Sequence, residues 1–169
     1  MDFSILVSDL VKMVVALFIV VDPLGNVPIF TSLTKNMDKS QRRRTYRLAT
    51  ITGLILLTFF SLVGQNILVL FGISLDSFMI AGGILLLILA IRLLVMGGWS
   101  EKRVISESVG AVPISCPLLV GPGAITTSIL NLETSNIFVT MISVLITFTI
   151  VWLILRYIDP IYRIIGKNG

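Results

Sequence analysis

Histidine is absent from this sequence, and cysteine occurs once, at Cys116. Without histidine there can be no Ser-His or Cys-His catalytic pair and no histidine metal site. One cysteine excludes an internal disulfide and a CxxC pair, and Cys116 reads as a small buried hydrophobe. Charge is scarce too, at 13% of residues, where a soluble domain carries about a quarter. No two carboxylates share an apolar segment, so an aspartyl-protease dyad is excluded and no enzyme is expected. Low-complexity stretches and Pro- or Ser-rich linkers are missing, which leaves no sign of a second domain. What fills the space is apolar: 56% of residues are hydrophobic, and the mean hydropathy is +1.02. These are the proportions of an integral membrane protein.

Five apolar segments are long enough to be membrane spans. They run Leu10–Leu33, Leu48–Phe71, Phe78–Met96, Val109–Leu132 and Ile137–Tyr157. Met1-Asp2-Phe3-Ser4 is acidic where a secretory signal is basic, so the first span is expected to be retained. With the N-terminus outside, twelve of the 13 basic residues fall on inner segments, and only Lys12 does not. The positive-inside rule is then met at every loop, with the C-terminus of the chain inside. The basic excess therefore marks orientation in a cell membrane rather than nucleic-acid binding.

Two of the five segments are interrupted by helix-breaking sequence. The first contains Asp22-Pro23-Leu24-Gly25-Asn26-Val27-Pro28, the fourth Pro117-Leu118-Leu119-Val120-Gly121-Pro122-Gly123. Proline removes a backbone donor and glycine weakens a helix. In lipid, backbone groups freed this way must be buried in protein or line a wet cavity. From Met13 to Val21 is about 14 Å of helix, and half the hydrocarbon core is about 15 Å, which puts Asp22 near the midplane. From the other side, Val109–Leu119 gives about 16 Å, which brings Gly121-Pro122-Gly123 to the same depth. The fold predicted is an all-α membrane protein of about five transmembrane helices, two of them broken at the midplane. Residues 1–97 would form a three-helix repeat and 98–169 an inverted copy, a 3+3 plan with its last helix missing.

The candidate binding residues follow from the breaks: Asp22, Gly25, Asn26, Gly121, Gly123, Thr126 and Thr127. Asn26 reads as the cap of a half-helix with Pro28 in its first turn, and Gly123–Ser128 as the start of another. Half-helix N-termini present N–H groups and partial positive charge, which suit a carboxylate. Asp22 is the one acidic residue well inside a span and could hold a proton, Na⁺ or a substrate ammonium. It could equally cap the turn at Pro23, and the hydroxyls of Thr126, Thr127 and Ser128 could bond back to the preceding helical turn. Gln65 and Asn66 lie near the outer interface, and Arg92 is close enough to the inner face to snorkel. Gly82-Gly83 reads as a site of close helix approach, and Arg42-Arg43-Arg44 as an orientation signal in contact with lipid headgroups. No cofactor or metal is expected beyond a coupling Na⁺ or H⁺ at Asp22.

Three stretches in order carry a resemblance: Asp22 through Phe30, Ala81-Gly82-Gly83-Ile84, and Pro117 through Ile125. Together they resemble the MarC family of bacterial and archaeal integral membrane proteins, and the likeness covers nearly the whole chain. The resemblance implies transport of small neutral amino acids such as alanine and glycine. It also implies a length of about 200 residues and six spans, so this chain is expected to be a short natural member or a truncated one. The function expected is secondary transport of a small neutral amino acid or similar zwitterion; a passive channel or a membrane scaffold is the alternative. Expected partners are the lipid bilayer, the small-molecule substrate and, as an option, further copies in a homo-oligomer.

Overall fold

The computed structural model describes residues 3–96, 119–158 and 160. These fold into six helices: α1 (Phe3–Val21), α2 (Val27–Leu33), α3 (Lys39–Leu70), α4 (Leu75–Met96), α5 (Pro122–Thr134) and α6 (Ile137–Arg156). No strand occurs among the described residues. Among the described residues, α1 (from Ser4), α3 and α6 are three helices long and apolar enough to cross a membrane, and α4 carries a shorter apolar run, Leu75–Ile88. The expected all-helical character holds. Two of the membrane-length helices correspond to the expected spans Leu48–Phe71 and Ile137–Tyr157, whereas the third, α1, ends at the break inside the expected span Leu10–Leu33. The connection Gly97–Ser108, the segment Val109–Leu118 with Cys116, and the tail from Ile161 lie outside the described residues, as does the side chain of Arg92.

Hydropathy located the helix ends least well where polar residues begin a helix. α3 starts at Lys39 rather than Leu48 because a capping box starts it. The Asp38 carboxylate accepts from the N–H groups of Ser40 (2.7 Å) and Gln41 (2.8 Å), and the Gln41 side chain accepts from Asp38 N–H at 3.0 Å. This satisfies donors that a helix end leaves open, and the Arg and Gln residues that follow are good helix formers. α3 therefore runs for 32 residues, about 48 Å against about 30 Å of hydrocarbon, so its first turns project beyond the apolar layer. α1 likewise begins at Phe3 rather than Leu10 and carries Asp9 and Lys12 as a helical ion pair 3.6 Å apart. Ser74 begins α4 by accepting from Ser77 N–H, and Asn136 begins α6 by accepting from Phe138 N–H.

The chief packing is between early and late helices. α1 and α3 each pack on both α5 and α6, and α4 packs on α5. Their shared core holds Leu17 and Val21 of α1, Val27 and Phe30 of α2, Ala49 and Leu57 of α3, and Val144, Phe148 and Val151 of α6. Leu119, Val120 and Ala124 from the start of the late segment complete it. Small residues set the spacing: a Cβ at Gly53 would lie 2.7 Å from the Phe148 ring, and one at Gly64 would lie 2.8 Å from Ile129. Gly53 also faces Val120, so α3 and α5 run in the same direction. Close backbone approach is the means by which helices associate in lipid, where apolar burial adds no drive of its own. The exposed faces of α1, α4 and α6 are largely apolar; among the described side chains of α4 only Gly82 is buried.

Candidate functional site

The first break is a compact turn between α1 and α2. α1 ends where Asp22 takes φ 42°, the left-handed region, and Pro23 follows. Few residues other than glycine accept that region; aspartate and asparagine do so because their short side chains bond locally. Here the Asp22 carboxylate accepts from Gly25 N–H at 3.0 Å, and the Asp22 carbonyl accepts from Asn26 N–H at 3.1 Å. A Cβ on Gly25 would collide with that carboxylate. Asp22 thus caps its own turn while remaining exposed.

Asn26 departs from its expected role. It makes no side-chain cap on α2 and has helical backbone angles. Its amide nitrogen donates instead to the Val21 carbonyl at 3.1 Å, the carbonyl on which α1 ends. The physical reason lies in what needs a partner. At the start of α2, Val27 N–H already bonds Leu24 O, and Pro28 has no N–H. The unmet need was for a donor to the end of α1, and the amide supplies it.

The second break presents the opposite situation at the start of α5. Gly121 is its N-cap and brings no side-chain bond, and Pro122 occupies the first turn. The first N–H to find a partner is that of Ile125, which bonds Gly121 O at 3.1 Å. The N–H groups of Gly123 and Ala124 are left without an acceptor among the described residues. Thr126 and Ser128 are buried and donate to the carbonyls of Pro122 and Ile125. Their hydroxyls therefore serve the helix itself. Thr127 is half-buried, with no hydroxyl bond to the described residues.

Tertiary packing brings the two breaks together. A Cβ on Gly123 would lie 2.9 Å from the Val20 side chain, in the last turn of α1. Val21 and Val27, on either side of the first break, share one buried cluster with Val120 and Ala124 of the second. Gly82 of α4 lies against the Pro122 ring, so closely that a Cβ would collide with it. The expected close approach at Gly82-Gly83 thus falls on the second break, and Gly83 faces open space.

One polar feature was missed in the sequence. Thr140, Ser143 and Thr147 recur at i, i+3 and i+7 on α6 and are fully buried. Ser143 and Thr147 donate to carbonyls of their own helix. Thr140 Oγ1, together with Asn131 Nδ2 and Ser135 Oγ around the α5–α6 turn, is buried with no hydrogen-bond partner among the described residues. The hydroxyl periodicity was visible in the sequence, whereas its burial depends on the helices packed over it.

A family model described as MarC family integral membrane protein matches residues 7–169. A UPF0056 membrane protein of Archaeoglobus fulgidus is similar at 34% identity over 181 residues, spanning 100% of this chain and 84% of that protein. Another, from Buchnera aphidicola, is 34% identical over 99% of this chain and 82% of its own length. The UPF0056 membrane protein YhcE of Escherichia coli is 38% identical over 70% of this chain and 59% of that protein. None of these names gives a substrate. No solved structure matches the chain.

Proposed function

Because this chain belongs to the MarC family of integral membrane proteins, we propose that it is a secondary transporter of a small neutral amino acid or similar zwitterion. The observation that carries this reading is the meeting of the two helix breaks, with Val20 against Gly123 and both breaks lining one buried cluster. Paired broken helices are a recurrent way of building a substrate site in transporters. The N–H groups of Gly123 and Ala124, at the positive end of α5, would receive the substrate carboxylate. Gly123 has no side chain to hold the ligand off. The exposed Asp22 carboxylate would take the substrate ammonium or a coupling Na⁺ or H⁺. Asn26 would hold that turn in place through the Val21 carbonyl.

In this reading the chain crosses the membrane five times with its N-terminus outside. Residues 1–97 and 98–169 act as inverted repeats that rock about the breaks. The reading includes no catalytic step and no cofactor. One observation favours a second reading: the Asp22 carboxylate already has a structural task at Gly25 N–H. Asp22 would then be only a turn cap, in a passive pore or a scaffold.

Uptake of labelled alanine and glycine into proteoliposomes tests both. The carrier predicts saturable uptake stimulated by counter-substrate. It also predicts loss of gradient-driven uptake in Asp22→Asn, whose side-chain oxygen still caps Gly25. Linear, non-saturating flux would establish the pore. Unchanged uptake in Asp22→Asn would remove Asp22 from coupling. Absence of flux, with no amino acid stabilising the protein, would leave the scaffold.

A further inference from the structure

Where α3 begins and α6 ends, the chain forms a cavity of about 580 Å³. Six cationic side chains line it, and among the described residues no carboxylate does: Lys39, Arg42, Arg43, Arg44 and Arg47 from α3, and Arg156 from α6. The cause is helical geometry. Residues 39, 43 and 47 form one row along α3, and 42 and 46 the adjacent row. This same side of α3 continues into Ala49 and Gly53, where it packs on α6. Beyond Leu155, α6 stops while α3 goes on, and the gap between them becomes a basic hollow.

The walls differ in chemistry from the floor. Tyr46, Leu155 and Ile158 are buried, at 5%, 1% and 2% exposure, and form an apolar base. Trp152 stands at the side with the Arg156 guanidinium 5.0 Å above its ring. The first N–H groups of α3 are already held by Asp38, so anion recognition here rests on side chains rather than on a helix end.

We propose that this cavity binds the phosphodiester headgroup of an anionic phospholipid. Guanidinium groups pair phosphate oxygens with two parallel hydrogen bonds, and several of them from two helices fit a phosphodiester. The level is that of the lipid interface, since α3 overshoots the hydrocarbon layer at this end. Basic pockets between helices at such a level are suited to acidic headgroups. Trp152, partly exposed beside these cations, fits the glycerol and first methylenes of a lipid. Free phosphate would leave the exposed part of that ring uncovered. The site is separate from the helix breaks and does not depend on the transport reading.

The test is thermal unfolding of the purified full chain in detergent, with added phosphatidylglycerol, phosphatidylcholine or inorganic phosphate. Phosphatidylglycerol should raise the midpoint by a few degrees, and the other two should not. The double variant Arg43→Gln/Arg47→Gln should lose most of that rise, while Lys12→Gln, outside the cavity, should keep it. Arg156→Gln, on the opposite wall, should show the same loss and stands alone if the double variant does not fold. Native mass spectrometry should find phosphatidylglycerol retained on the wild-type chain and depleted on Arg156→Gln. An equal rise with phosphatidylcholine would overturn the proposal, as would an equal rise with inorganic phosphate. Full retention of lipid by the arginine variants would do the same.

Discussion

Asp22 concentrates the residue-scale questions, because one side chain holds a left-handed backbone and caps Gly25 while presenting a charge at the surface. The two tasks are separable by chemistry. Asparagine keeps an acceptor oxygen and tolerates the left-handed region, so Asp22→Asn should unfold within about 0.5 kcal/mol of wild type in denaturant titrations. Alanine keeps neither property, and Asp22→Ala should lose about 1–3 kcal/mol from backbone strain and the missing cap. Gly25→Ala should also destabilise, by about 0.5–2 kcal/mol, because its Cβ would displace the Asp22 carboxylate from its cap on the turn. If Asp22→Asn and Asp22→Ala prove equally unstable, the charge itself holds the turn. The sequence placed a break here because proline and glycine act locally. The direction of the Asn26 amide was not legible, since it depends on which end of which helix lacked a partner.

Among the elements, α3 shows how local chemistry can extend a helix that hydropathy would cut short. Its apolar content begins near Leu48, yet the capping box at Asp38 and Gln41 carries the helix out to Lys39. Asp38→Ala should therefore fray the first turn without disturbing the membrane portion. Hydrogen exchange should become faster at the amides of residues 40–43 and stay unchanged at 53–64, with a loss of about 1 kcal/mol in that local opening. Farther along, Gly53 is held by contact with α6. Gly53→Ala should destabilise by about 1–3 kcal/mol as its Cβ meets the Phe148 ring. Phe148→Leu should recover part of that in the double variant, since the obstructing ring atoms are gone. No recovery would mean that the two helices cannot adjust at this crossing. Both the capping box and the Arg42-Arg43-Arg44 run could be read from the sequence, but only the overshoot of α3 past α6 turns that run into a cavity wall.

For the whole molecule, the notable property is that early helices find their main contacts on late ones. α1 and α3 both pack on α5 and α6, so neither half is organised by its own contacts alone. The proposed topology can be read directly by single-cysteine labelling in a Cys116→Ser background. With the N-terminus outside, Gln65→Cys should react with an impermeant maleimide added outside intact cells, and Ser40→Cys only after the membrane is opened. Both positions lie on α3 and are exposed, so the two substitutions probe one helix from its two ends. Reaction of both from the same side would show that α3 does not cross. The same background reports orientation without reliance on loop charge, which was the sole basis for it in the sequence.

What the sequence determined by itself is the class of protein and the positions at which its helices fail. Both follow from properties of single residues and their immediate neighbours: apolar content, absent histidine, and the backbone chemistry of Pro23, Pro28, Gly121 and Pro122. Tertiary structure alone decided that the failures meet, with Val20 on Gly123 and Gly82 on Pro122. It also decided that six cations from the start of α3 and the end of α6 surround a common hollow. Contacts between residues this far apart in the chain depend on how helix surfaces fit each other, and no local propensity encodes that fit.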